Sequence, residues 1–145
     1  MRLLLAVAAT AIIAACGQTQ PSDIRQIEVT APTEDTKLIA VLSYASWCGS
    51  CKALDPRVAA VQSANLFEGV AFAKLDYTDR NADTFYEDAE TLGIVDTMRA
   101  EFDGKIKTGR MYLINRSTGE IISTVDKSME EAEIAAAISQ AAALS

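Results

Sequence analysis

The sequence predicts an α/β domain in which a central mixed β-sheet is flanked by helices. Three observations carry that expectation. Residues 38–44, Leu-Ile-Ala-Val-Leu-Ser-Tyr, are nearly all apolar, which suits a strand covered on both faces. Downstream, apolar residues at helical spacing alternate with another apolar run. The chain closes with two such runs around a glycine-containing turn and then an alanine-rich helical stretch, so the order is strand, helix, strand, helix, hairpin, helix.

Taken from the start, residues 24–30 set Ile24, Ile27 and Val29 in imperfect alternation with polar neighbours, which predicts a first strand, and residues 32–37 form a polar turn. The 38–44 strand then runs into a loop that carries two cysteines. From Cys51 to about Leu66, Leu54, Val58, Val61 and Ala64 or Asn65 recur at helical spacing, so a helix begins at the cysteine pair. Residues 70–76 read as the next strand. Between Asp83 and Phe102 the helical pattern of Phe85, Ala89, Leu92 and Val95 resumes at Met98 and Phe102, with Gly93 as a break; one interrupted helix or two short ones fit. Residues 111–115 and 121–125 are apolar runs whose connection offers Gly119 for a positive-φ turn position. Ser128 and Glu131 form a capping-box pattern ahead of Ile134, Ile138 and Ala141. The alanines of this last helix read as propensity and close packing.

Composition narrows the chemistry. With 145 residues, 50% of them hydrophobic and 23% charged, the chain suits one globular domain with a real core. A net charge of −7 leaves no basic face for a phosphate backbone, so nucleic acid is not an expected partner. There is no histidine, which excludes Cys–His and Ser–His catalysis and imidazole ligation of a metal. The chemistry therefore falls to three cysteines, Cys16, Cys48 and Cys51.

Cys16 belongs to an address. Met1 and Arg2 make a short positive start, residues 3–15 are apolar or small apart from one Thr, and Cys16 follows directly. This layout predicts a signal peptide over residues 1–15, shorter than the about 20 apolar residues a membrane-spanning helix needs. Ile13-Ala14-Ala15-Cys16 resembles the bacterial lipobox, and that resemblance implies a lipoprotein whose first mature residue, Cys16, carries diacylglycerol. Several acyl chains on one terminus anchor stably where one does not. Gly17 in place of an aspartate after the cysteine implies, on the same resemblance, the outer membrane, with the protein on the periplasmic side of the envelope. Residues 16–23, without large apolar side chains, are then a lipidated tether, and residues 24–145 are the domain.

Trp47-Cys48-Gly49-Ser50-Cys51-Lys52 lies where a buried strand turns into a helix, the context in which two cysteines with two residues between them become a redox pair. A helix start presents unpaired N–H groups and partial positive charge, which favour a thiolate at Cys48 and make it the attacking sulfur. Cys51, one turn along, is the resolving thiol. Gly49 and Ser50 are small enough to let the turn close, and Ser50 offers a hydroxyl to a sulfur. Trp47 serves packing or substrate contact. Lys52 and Lys74 either tune the thiols or are solvated charges. Asp76, Asp79, Asp83 and Glu87 match no calcium loop and read as surface.

The same segment, with Pro56 five residues after the second cysteine, resembles the thioredoxin family, whose members kink this helix at that proline. The resemblance extends in element order over about residues 38–143 and implies a thioredoxin-like fold, no cofactor, and thiol–disulfide exchange. Implied partners are envelope proteins with thiols or disulfides and an upstream membrane redox partner. Two departures stand out. The family's buried aspartate, about five residues ahead of the tryptophan, is Leu42 here, so proton transfer at Cys51 needs water or another group. The family's cis-proline facing the dithiol has no counterpart, because the prolines are Pro21, Pro32 and Pro56. Its place falls near Gly109 or Arg110, where Gly109 is expected to supply unusual backbone geometry and Arg110 to steer acidic partners or stabilise the Cys48 thiolate.

Other readings of the pair remain at this point. Half a zinc site requires two more cysteine or histidine donors, and the domain has none. A structural disulfide is the plain alternative in an exported chain. A non-catalytic module of the same family would use this surface to hold a partner protein or a metal ion.

Overall fold

The computed structural model describes residues 26–145. The proposed signal peptide, Cys16, the tether and Ile24 lie outside the described residues. Eight elements follow in order: β1 (Leu38–Tyr44), α1 (Gly49–Ala64), β2 (Val70–Asp76), α2 (Ala82–Thr91), α3 (Val95–Phe102), β3 (Arg110–Asn115), β4 (Ile121–Asp126) and α4 (Glu131–Ala143).

The strands form one sheet in the order β2-β1-β3-β4. β1 runs parallel to β2 and antiparallel to β3, and β4 is antiparallel to β3, so the sheet is mixed as expected. β1 is central because it is apolar on both faces. Its side chains alternate with the period of two of an extended chain. Leu38, Ala40 and Leu42 join Leu54, Val58, Ile134 and Ile138 beneath α1 and α4. Ile39 and Val41 join Phe85, Ala89, Met98 and Phe102 beneath α2 and α3. Leu42, at the position of the family's buried aspartate, is thus a fully buried core residue.

Several boundaries differ from the sequence reading, each for a local reason. Residues 26–32 are not a strand. Thr30 N–H does reach the Phe72 carbonyl at 2.8 Å, but Ile27 N–H donates instead to the Asp55 carboxylate, also at 2.8 Å, so no ladder develops. Helix α1 begins at Gly49, ahead of the expected Cys51, because Cys48 is itself the N-cap. The stretch around Gly93 takes the second of its two expected forms, two short helices, with Gly93 at φ +73° closing the first. The capping box belongs to Glu130 and Glu133, not to Ser128 and Glu131. Ser128 is held by Asp126, which accepts both its N–H and its hydroxyl.

β3 carries one feature with a measurable consequence. Tyr112 is fully buried, and its hydroxyl has no hydrogen-bond partner among the described residues. Burial, helped by the Glu101 charge and opposed by Arg110, pushes its ionisation up from 10.0 to about 12. The unfolded chain therefore releases this proton before the folded one does, so the contribution to stability is intact below pH 10.0 and fades as pH rises to about 12. Tyr112→Phe removes the orphan hydroxyl and is expected to raise stability at pH 7 by about 1 kcal/mol. It should also make the alkaline loss shallower, as read from urea midpoints of both proteins at pH 7 and pH 11. Destabilisation at pH 7 would mean that the hydroxyl has a partner after all.

Candidate functional site

The site forms where three chain segments meet at the C-terminal end of β1. Ser43 is the hub. Its hydroxyl donates to the Lys107 carbonyl at 2.7 Å, and its own carbonyl accepts the Gly109 N–H at 2.8 Å, tying the loop before β3 to the strand that leads into the cysteines. The side chain is fully buried, so these bonds fix the loop without competition from water.

Cys48 and Cys51 are joined as a disulfide with their Cα atoms 5.3 Å apart. Cys48 caps α1 in extended geometry, and its sulfur accepts the Cys51 N–H at 3.2 Å. One of the orphan donors of a helix start is thus spent on sulfur, a geometry that favours negative charge there once the pair is reduced. The two cysteines differ in exposure. Cys48 keeps 9% of its surface exposed, whereas Cys51 has none, with its sulfur 3.7 Å from the Ser43 carbonyl oxygen.

Gly109 and Arg110 are expected near the place of a cis-proline, and no cis peptide bond occurs among the described residues; Gly109 faces the cysteine pair. It adopts φ +91°, a conformation suited to glycine. A Cβ built on it would stand 2.7 Å from Ser50 Cβ and 3.2 Å from Cys48 Sγ. The backbone itself therefore packs on the dithiol. Arg110, next along, is exposed and pairs in register with Asp126 across β4. Hydrogen bonds from Ser128 hold the Asp126 carboxyl below the usual range, and the Arg110 charge adds to them.

The remaining sequence-named residues surround the pair. Gly49 is exposed, and no atom lies within 4 Å of where its side chain would be. Ser50 is partly buried against Gly109. Pro56 lies inside α1, where its missing N–H removes one helical hydrogen bond. Lys52 is exposed on the rim of a hollow of about 250 Å³ that Tyr44, Asp55 and Pro56 also line. Trp47 is 48% exposed, its indole N–H fixed on the Thr78 carbonyl at 3.1 Å.

Asp55 was not singled out by sequence reading, and it is the one buried carboxylate among the described residues. It lies one helical turn beyond Cys51, accepts the Ile27 N–H, and pairs with the Lys74 ammonium at 2.7 Å. Lys74 is therefore not a solvated charge. Its ammonium also lies 4.9 Å from the centroid of the Tyr44 ring, which packs against the two cysteines. Tyr44 ionises above its ordinary range, first through burial and then through the Asp55 and Asp76 charges. The available signal was an acid on the buried arc of α1 with Leu54 and Val58.

Comparison with known proteins agrees with this geometry. The thioredoxin family model matches residues 26–92. Protein disulfide isomerase-like 1-4 of Arabidopsis thaliana is 36% identical over 58 residues, which is 40% of this chain and 10% of that protein's length. The matched segments, the mixed four-stranded sheet between helices, and the cysteine pair capping α1 show a thioredoxin-like fold with a close cysteine pair at a helix start.

Proposed function

We propose that the protein is a thiol–disulfide oxidoreductase acting through Cys48 and Cys51. The observation that carries this reading is the Cys48 sulfur receiving a helix-start N–H on a residue that keeps 9% of its surface exposed, bonded to the sulfur of the fully buried Cys51. In the reduced protein the Cys48 thiolate attacks one sulfur of a partner disulfide. That S–S bond breaks, one partner thiolate leaves, and a mixed disulfide forms. Cys51 then gives up its proton and attacks the Cys48 sulfur, releasing the second partner thiolate. Two electrons have passed to the partner, and the protein is left with the Cys48–Cys51 bond. Run backwards, the same steps oxidise a partner dithiol, so direction follows the relative potentials of the pair and its partner.

Leu42 leaves no carboxylate at the family's usual place for the Cys51 proton. Asp55 takes that part, because it is buried one turn away on the same helix face and opens on the hollow beside Tyr44 and Lys52. Gly109 and Trp47 frame the surface on which the partner lies.

The reaction takes place outside the cytoplasm, on a protein held to the membrane through a lipid on Cys16. The sequence of residues 1–16 supports this address. No helix among the described residues is long and apolar enough to cross a membrane. Partners are envelope proteins with thiols or disulfides, and an upstream membrane redox partner resets the pair.

With dithiothreitol as electron donor, catalytic amounts of the protein are expected to accelerate insulin reduction well beyond dithiothreitol alone. Equal rates with and without the protein would overturn the reading.

A further inference from the structure

Beside Trp47 a groove of about 440 Å³ runs between the loop before α2, helices α2 and α3, and the loop after α3. Its lining has an unusual charge. Arg80, Arg99 and Lys105 contribute to it, and no carboxylate does, in a chain with 20 acidic and 13 basic residues. None of the three forms an ion pair among the described residues; the one recorded there joins Lys74 to Asp55.

The two guanidinium groups are held in place by aromatic faces. Arg80 lies 4.7 Å from the centroid of the Trp47 ring, and Arg99 lies 4.2 Å from that of Tyr86. Arg80 takes a left-handed backbone conformation at φ +60°, closed by its N–H on the Tyr77 carbonyl at 3.1 Å. Stacking fixes a guanidinium plane while leaving its edge N–H donors free, and those donors match a carboxylate in bidentate geometry. Trp47, which carries Arg80 and lines the groove, directly precedes Cys48, so one wall of the groove is the residue next to the exchanging cysteine.

We infer that this groove binds an acidic stretch of the partner polypeptide next to its exchanging cysteine, so that the protein selects thiols and disulfides flanked by Asp or Glu. The inference rests on the proposed exchange at Cys48 and names its partner class. Selection acts at contact range. The net charge of −7 repels an acidic partner at a distance, and the groove reverses that repulsion only once the two surfaces meet.

Two measurements test it. In the first, the reduced protein reacts with peptides whose single cysteine is bonded to a small uncharged thiol and flanked by two aspartates, two serines or two lysines. The rate ratio of the aspartate to the serine peptide is expected to be about ten, with lysine slowest, and to fall to about one in Arg80→Met/Arg99→Met. The ratio is internal to each protein, so a general loss of activity in the variant does not mimic the result. A ratio near one in the wild type, or one that survives in the variant, overturns the inference and leaves the exchange reading standing.

In the second, a cysteine-free acidic peptide is titrated into the oxidised protein, with fluorescence read from Trp47, the single tryptophan. A saturable change for the acidic peptide that its lysine counterpart lacks supports the groove independently of exchange. Such binding in a protein that reacts with no disulfide would sink the exchange reading and keep the groove. No change with either peptide counts against the groove.

Discussion

Cys48→Ser is expected to lower the rate of disulfide reduction on the order of a thousandfold or more, because the only sulfur left in the site is fully buried. Cys51→Ser should fail differently. Its Cys48 still attacks, yet nothing completes the second step, so a covalent mixed disulfide with the partner accumulates and survives non-reducing electrophoresis. The asymmetry is the informative part, since a merely structural disulfide predicts neither trapping nor a difference between the two variants. In Cys51→Ser the Cys48 thiol still caps α1, with the residue 51 N–H aimed at its sulfur. It should therefore alkylate with iodoacetamide at pH 7 roughly fivefold or more faster than free cysteine. Equal trapping by both single variants, or alkylation of Cys48 at the rate of free cysteine, would remove the assignment of attacking and resolving sulfurs.

Much of this site was legible before any coordinates. β1 and β2 fall on residues 38–44 and 70–76 as read, because an uninterrupted apolar run bounded by polar turns leaves a buried strand few other registers. The cysteine pair at a helix start follows from the same local grammar. What escaped the reading depends on partners distant in sequence. Residues 24–30 look like a strand, but the Ile27 N–H goes to a carboxylate 28 residues away. Ser128 and Glu130 both offer plausible caps, and Asp126 decides between them by engaging Ser128. Asp55 looks like an ordinary helix acid until the sheet brings Lys74 against it. Arg80 and Arg99 belong to no motif, and only the packing of α2, α3 and the loops before α2 and after α3 brings them to one groove.

The second large effect is on stability, at Asp55. Asp55→Ala is expected to destabilise the fold by about 3 kcal/mol, the lower end of the cost of breaking a buried ion pair, because 15% of the Lys74 side chain still meets solvent. Part of that loss is the Ile27 N–H, which the carboxylate satisfies at 2.8 Å and alanine does not. Lys74→Met should also destabilise, for the complementary reason that it strands a buried carboxylate. If desolvation is what makes each single change costly, the double variant Asp55→Leu/Lys74→Met, which buries neither charge, recovers most of the loss. Urea unfolding of wild type, Asp55→Leu, Lys74→Met and the double variant at pH 7 measures this cycle directly. The redox assay separates stability from chemistry, since the double variant should fold well and yet resolve mixed disulfides slowly, having lost the buried carboxylate one helical turn from Cys51 that is proposed to take its proton. Full exchange activity in that variant would confine Asp55 to holding the residues before β1 against α1, and Asp55→Ala within about 0.5 kcal/mol of wild type would deny it even that.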